Sequence, residues 1–305
     1  MRSNVNARTA YAPHLALLGV QAFFGSLPVI AKVVLTAVPP VGLVGFRVGI
    51  TAVVLLAVQT VRGRVRLKAK GDYWRLAVLS LFGVTFNQLL FVTGLSLTKA
   101  ANTSLLAVTI PVFTLAVSAV AGSERLRGAK LLGMLLAAAG VLLVIDPRNA
   151  SFSSETTRGD LLIVANSLSY GIYVATSKRV IERNGAFRSM MWVFLFAAVI
   201  CVPLGASSMS FVDISNVGQS VWLLVIYIAI GATASPYLLN AWALARVSPS
   251  TVAVYVYLQP LIGFLLAVVF LNERVDAKFF AAAALIFAGV YVVTRERAAI
   301  HETLA

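Results

Sequence analysis

Acidic side chains are scarce in this sequence: there are 11 Asp and Glu among 305 residues, against 25 Lys and Arg, while cysteine occurs once and histidine twice. A lone cysteine, Cys201, excludes an intrachain disulfide and leaves the redox compartment unread. His14 and His301 stand outside or at the edge of the apolar runs. No His/Cys cluster therefore has metal-ligand spacing, and no Ser-His-Asp or Cys-His set can be assembled. The expectation is a protein with no metal, no cofactor and no enzymatic activity. The acids fall in loops or at the ends of apolar runs, which leaves no carboxylate in mid-run for a proton relay. Their scarcity also produces a net charge of +14, which raises nucleic acid as a partner. The basic residues lie in short segments between apolar runs rather than in a folded basic patch, so nucleic acid is set aside.

What the chain has in abundance is apolar: 60% of its residues are hydrophobic and 12% charged, which makes the bilayer its solvent and lipid its constant partner. Crossing the hydrocarbon takes roughly 17 to 25 helical residues, and long uninterrupted runs indicate helices rather than barrel strands. The runs predict spans over 14–35, 42–61, 74–93, 100–120, 129–145, 160–178, 187–205, 220–242, 249–271 and 277–294. The first follows Arg2 and Arg8 as a signal peptide would, but its apolar part is too long, and it reads as a retained span. The fold class is all-α: a polytopic membrane protein of ten transmembrane helices. With the N-terminus inside, eighteen Lys and Arg fall in cytoplasmic segments. Five fall outside (Lys99, Arg148, Arg158, Arg274 and Lys278), which puts both termini in the cytoplasm.

Residues 94–145 match 243–294 without gaps at an offset of 149, pairing Pro111 with Pro260, Glu124-Arg125 with Glu273-Arg274 and Ala139-Gly140-Val141 with Ala288-Gly289-Val290. Earlier in each half an offset of 146 pairs Gly25 with Gly171 and Lys32 with Lys178. The organisation is a first five-helix repeat over 14–145, a second over 160–294, and short cytoplasmic tails at 1–13 and 295–305. An odd number of spans inverts the second copy, the arrangement that underlies alternating access in many transporters.

Ten short-looped spans in two halves, a proline in spans four and nine, and an acid-basic pair after each resemble the EamA-type drug/metabolite transporter family. The similarity is carried by Leu97 to Ser104 through Pro111 to Glu124-Arg125, and by Ala245 to Pro249 through Gln259-Pro260 to Asn272-Glu273-Arg274. Within the family the chain is most similar to the YddG branch, which exports aromatic and other amino acids. The resemblance implies an exporter of small metabolites, aromatic and neutral amino acids foremost, in the bacterial inner (plasma) membrane. The alternative is an efflux carrier for hydrophobic drugs or other metabolites.

Polar and aromatic side chains in otherwise apolar helices should face the bundle interior. The expected substrate-binding residues are Gln21 and Phe24 in span one, Asn87 and Phe91 in span three, and Thr109 in span four. They continue with Asn166, Tyr170 and Tyr173 in span six, Tyr237 and Asn240 in span eight, and Tyr255 and Gln259 in span nine. Tyr255 and Gln259, four apart, share a face of an α-helix. Pro111 and Pro260 each remove an N–H and predict paired helix breaks, read either as packing kinks or as marks of the site. Arg47, a cation inside span two, either pairs with a cargo carboxylate or braces the helix start. Without a mid-membrane carboxylate, cargo is expected to move down its own gradient, or by a coupling that needs no core acid. Gly45 and Gly49 form a small-xxx-small pair suited to an intramolecular contact or a dimer; a monomer is the favoured state.

Overall fold

The computed structural model describes residues 2–145, 156–210, 212, 214, 217–262, 265 and 277–295. Among them no strand occurs, and the helices follow one another with short connections. Helix α1 runs Arg2–Val34, α2 Pro40–Arg62, α3 Lys70–Leu97, and α4 comprises Ala100–Leu106 and Thr109–Val120, followed by α5 Gly128–Ile145. The second half holds α6 Thr157–Asn184, α7 Ala186–Met209, α8 Gln219–Leu244, α9 Pro249–Val254 continuing as a 3-10 turn Tyr255–Leu258, and α10 Ala277–Arg295. Helix α1 starts at Arg2, so the segment expected as an N-terminal tail is helical. The predicted Glu273-Arg274 pair and the C-terminal tail beyond Arg295 lie outside the described residues.

Among the described residues, six helices are long and apolar enough to cross a membrane: Tyr11–Val34, α2, α3, Asn102–Val120, α7 and α8. Two shorter apolar helices, Gly128–Leu143 and Phe279–Thr294, join them. The burial pattern is that of a protein solvated by lipid. Val29, Val53, Leu135, Val199 and Phe287 are exposed, while Gln21, Arg47, Gln88, Asn102, Asn166 and Asn240 are buried.

Local chemistry sets the helix ends. Gly63 and Gly185, at positive φ of 117° and 83°, allow the turns after α2 and α6 that bulkier residues would strain. The Ser248 side chain accepts from Thr251 N, and Pro249 occupies the first turn of α9. Glu124, in the α4–α5 turn, accepts from Ser250 N at 2.8 Å and Ser250 Oγ at 2.5 Å and pairs with Lys130. A negative charge is thereby held at the start of α9. Lys32 Nζ donates to Thr98 O at 2.9 Å, just beyond α3. Lys178 Nζ donates to Leu244 O at 3.0 Å and Val247 O at 2.5 Å, just beyond α8. Both lysines thus neutralise carbonyls at a helix C-terminus.

Two helix pairs approach through small residues. A Cβ on Gly45 would fall 2.7 Å from Gly205 Cα, so the small-xxx-small pair of α2 packs on α7 of the same chain. Helices α5 and α10 cross antiparallel: Gly133 meets Gly289 and Val293, whereas Gly140 meets Ala282 and Ile286. At the offset of 149, Gly133 corresponds to Ala282 and Gly140 to Gly289, so one contact maps onto the other.

Irregular turns also recur at that offset. Helix α3 opens into a π-turn over Leu81–Thr85 and α8 into another over Ile230–Ala234. Helix α4 is interrupted at Ala107-Val108, and the 3-10 turn of α9 spans the equivalent residues 256 and 257. The cause is local. Pro111 has no N–H for the carbonyl of Ala107, which accepts instead from Ile110 N at 3.0 Å, and Pro260 stands in the same relation to Val256. The predicted breaks fall one turn before the prolines.

Candidate functional site: a polar cavity among seven helices

Helices α1, α3 and α4, their counterparts α6, α8 and α9, and α2 line a cavity of about 90 Å³. Among the described residues, helices α5, α7 and α10 contribute none to the lining. Ligand pockets for drug-sized molecules measure about 300–1,000 Å³, so cargo of that size requires these walls to separate.

Of the residues expected to bind substrate, Gln21, Phe24, Asn87, Phe91, Asn166, Tyr170, Tyr237, Asn240 and Gln259 line the cavity, as does Arg47. Their polar ends bond to one another across helices. Asn87 Nδ2 donates to Asn166 Oδ1 at 2.6 Å, and Tyr237 Oη lies 3.0 Å from Asn87 Oδ1 and 2.9 Å from Gly83 O. Asn240 Nδ2 donates to the Tyr170 hydroxyl at 3.0 Å, and Gln259 Nε2 donates to Gln21 Oε1 at 2.8 Å. Phe24 and Tyr237 meet edge to face, with centroids 6.0 Å apart.

Three expected residues are not on this wall. Thr109 Oγ1 donates to Leu106 O at 2.7 Å, within the interrupted part of α4. Tyr173 packs its ring against Gly83 and donates its hydroxyl to Met190 Sδ at 3.3 Å. The Tyr255 hydroxyl lies 2.8 Å from His14 Nδ1, and the 3-10 turn explains why. Advancing about 120° per residue rather than about 100°, it turns Tyr255 away from the face that Gln259 presents. Pro111 is buried, and Pro260 borders a separate small cavity beside Tyr257 and Val141.

The cavity also takes Gln88, Thr103, Ser104, Val252 and Val256, which are not among the expected binding residues. Gln88 follows Asn87 in sequence and was readable from the same pattern. Val252 and Val256 carry no polar signal, and only the fold brings them here.

Arg47 is 2% exposed, and its Nε donates to Thr233 Oγ1 at 3.0 Å. The Thr233 hydroxyl itself donates to Ile228 O at 2.6 Å, and Thr51 donates to Ala229 O at 2.8 Å. Both carbonyls lie at the entry to the α8 π-turn, and Arg47 and Thr51 fasten α2 to it.

Apolar helices around a cavity lined by amides, hydroxyls, aromatic rings and aliphatic side chains define an integral membrane protein. The EamA-like transporter family matches residues 12–146 and again residues 157–295, and the chain belongs to that family. It is 28% identical to an uncharacterized transporter of Archaeoglobus fulgidus over 93% of this chain and 98% of the relative. It is 29% identical to a protein of Salmonella typhimurium named "Probable amino-acid metabolite efflux pump", over 59% of this chain and 62% of that one. A solved crystal structure shares the fold with a TM-score of 0.73 and 24% identity, covering 92% of this chain and 96% of the other.

Proposed function

We propose that the protein exports small metabolites, aromatic and neutral amino acids foremost, by exposing the central cavity alternately to the two faces of the membrane. The reading takes the chain as ten crossings in two inverted five-helix halves with both termini in the cytoplasm. One observation carries it: three pairs of repeat-related helices, two of the pairs broken or widened at equivalent positions, converge on one polar, aromatic cavity. Matched interruptions near a repeat interface are where transporters hold cargo. The antiparallel crossing of the equivalent helices α5 and α10 supports opposite orientation of the two copies. The rings of Phe24, Phe91 and Tyr170 suit an aromatic side chain, and the amides suit its polar end. The printed name of the Salmonella relative agrees with an amino-acid cargo.

The test is uptake of labelled phenylalanine and tryptophan into liposomes holding the purified protein. Asn166→Ala, which removes the Asn87–Asn166 bond from the Tyr237–Asn87–Asn166 chain, is expected to lower flux about tenfold, the effect of roughly one lost buried hydrogen bond. Tyr255→Phe, which loses only a bond to His14, is expected to leave flux unchanged. No flux of any amino acid overturns the cargo. Flux of hydrophobic amines alone favours the drug-efflux alternative.

A further inference from the structure

Resting on that transport reading, we propose that Arg47 and Gln88 form the head-group end of the cavity, where Arg47 takes the carboxylate of an α-amino acid and Gln88 its amino group. Gln88 carries the argument. It is 2% exposed and lines the cavity close to the Tyr237 hydroxyl, which is directed to Gly83 O and Asn87 Oδ1, and neither its Nε2 nor its Oε1 meets a protein group in hydrogen-bonding geometry. Buried amides in folded proteins are paired. Asn87, Asn166 and Asn240 of this same wall are paired with protein groups, so the open pair on Gln88 is specific to its position.

Arg47 supplies the charge. Its Nε is held by Thr233, and among the described residues neither a hydrogen bond nor an ion pair from the protein engages its four Nη hydrogens. Among the described residues, none that lines the cavity is acidic. A guanidinium in hydrocarbon without a counter-ion is unfavourable, and its planar fork matches a carboxylate with two parallel bonds. The Thr233 contact fixes the direction of that fork, because Thr233 is itself anchored in the α8 π-turn. Gln88 then offers what a carboxylate alone leaves unused: Oε1 accepts from an ammonium, while Nε2 donates to the same carboxylate. Phe24 and Phe91 leave the cargo side chain an apolar wall, so recognition is strict at the head group and permissive beyond it.

The experiment is competition against labelled phenylalanine flux in proteoliposomes by phenylalanine, its amide and 3-phenylpropionate. These cargoes carry both groups, the amine alone and the carboxylate alone. Wild-type protein is expected to prefer phenylalanine over the amide by about tenfold or more, the scale of a charge-assisted hydrogen bond. Arg47→Gln should erase that preference, whereas Arg47→Lys should keep it at weaker affinity. Gln88→Leu should retain the acid-over-amide preference and lose the preference for phenylalanine over 3-phenylpropionate. Should Arg47→Gln fail to fold, Gln88→Leu decides: an unchanged ratio of phenylalanine to 3-phenylpropionate overturns the subsite. Amino-acid flux with full acid preference in a folded Arg47→Gln protein overturns the subsite alone. Wild-type protein that moves no amino acid overturns the cargo reading as well.

Discussion

Asp72 shows how a single buried acid is accommodated in this protein. It sits in the first turn of α3, 1% exposed, pairs with Arg183 at 2.7 Å and accepts from Asn184 Nδ2 at 2.8 Å. Asn184 Oδ1 in turn accepts from Lys68 N at 2.9 Å, so one amide joins the α2–α3 loop, the start of α3 and the end of α6. Asn184→Ala leaves Asp72 with one fewer donor and is expected to destabilise the protein by about 1–3 kcal/mol, read as a lower unfolding midpoint in detergent. Flux should persist, because neither residue lines the cavity. At this scale the sequence was informative about type and weaker on aim. A polar residue in an apolar helix does point inward, as Asn87, Asn166 and Asn240 do. Which inward-facing wall it reaches depends on the local helix type, as Tyr255 shows. Whether it meets a partner in hydrogen-bonding geometry, as Gln88 does not, depends on residues far away in the chain.

At the scale of elements, nearly every helix was legible because apolar length in a membrane chain has few other causes. The α2 boundary moved by two residues at its start, and α3 extended at both ends. The π-turns were not legible, since LFGVT and IGATA carry no proline and no break in hydropathy; only their equivalence at 149 residues connects them. The role of Gly45 was open between an intramolecular contact and a dimer, and packing against Gly205 resolves it. That packing predicts the effect of one methyl group. A Cβ at Gly45 meets backbone 2.7 Å away, so Gly45→Ala must push α2 from α7 and should cost about 1–3 kcal/mol. Gly71→Ala, with nothing within 4 Å, serves as the control and should leave the unfolding midpoint within error. A Gly45→Ala protein as stable as wild type would show that the two helices are not in backbone contact.

At the scale of the whole molecule, the charge asymmetry and the helix order combine into one orientation. Helix α6 carries Arg158 near its start and Lys178, Arg179 and Arg183 near its end. At 28 residues it is about 42 Å long, enough to project basic groups beyond both sides of a hydrocarbon core about 30 Å thick. The proposed orientation puts the larger cluster on the cytoplasmic side. There it meets Arg125, Arg127 and Lys130, which border the same basic cleft as Lys178 and Arg179. Two independent lengths of chain, each basic, therefore reach one face together, and a reversed insertion would carry both to the wrong side at once. Cys201 is the chain's single cysteine and is buried, so Cys201→Ala should yield a folded background for labelling. In that background Arg158→Cys should react with a membrane-impermeant thiol reagent applied to intact cells. Arg127→Cys should react only after permeabilisation; both positions are exposed in the structure. Reaction of Arg127→Cys in intact cells would overturn the proposed orientation.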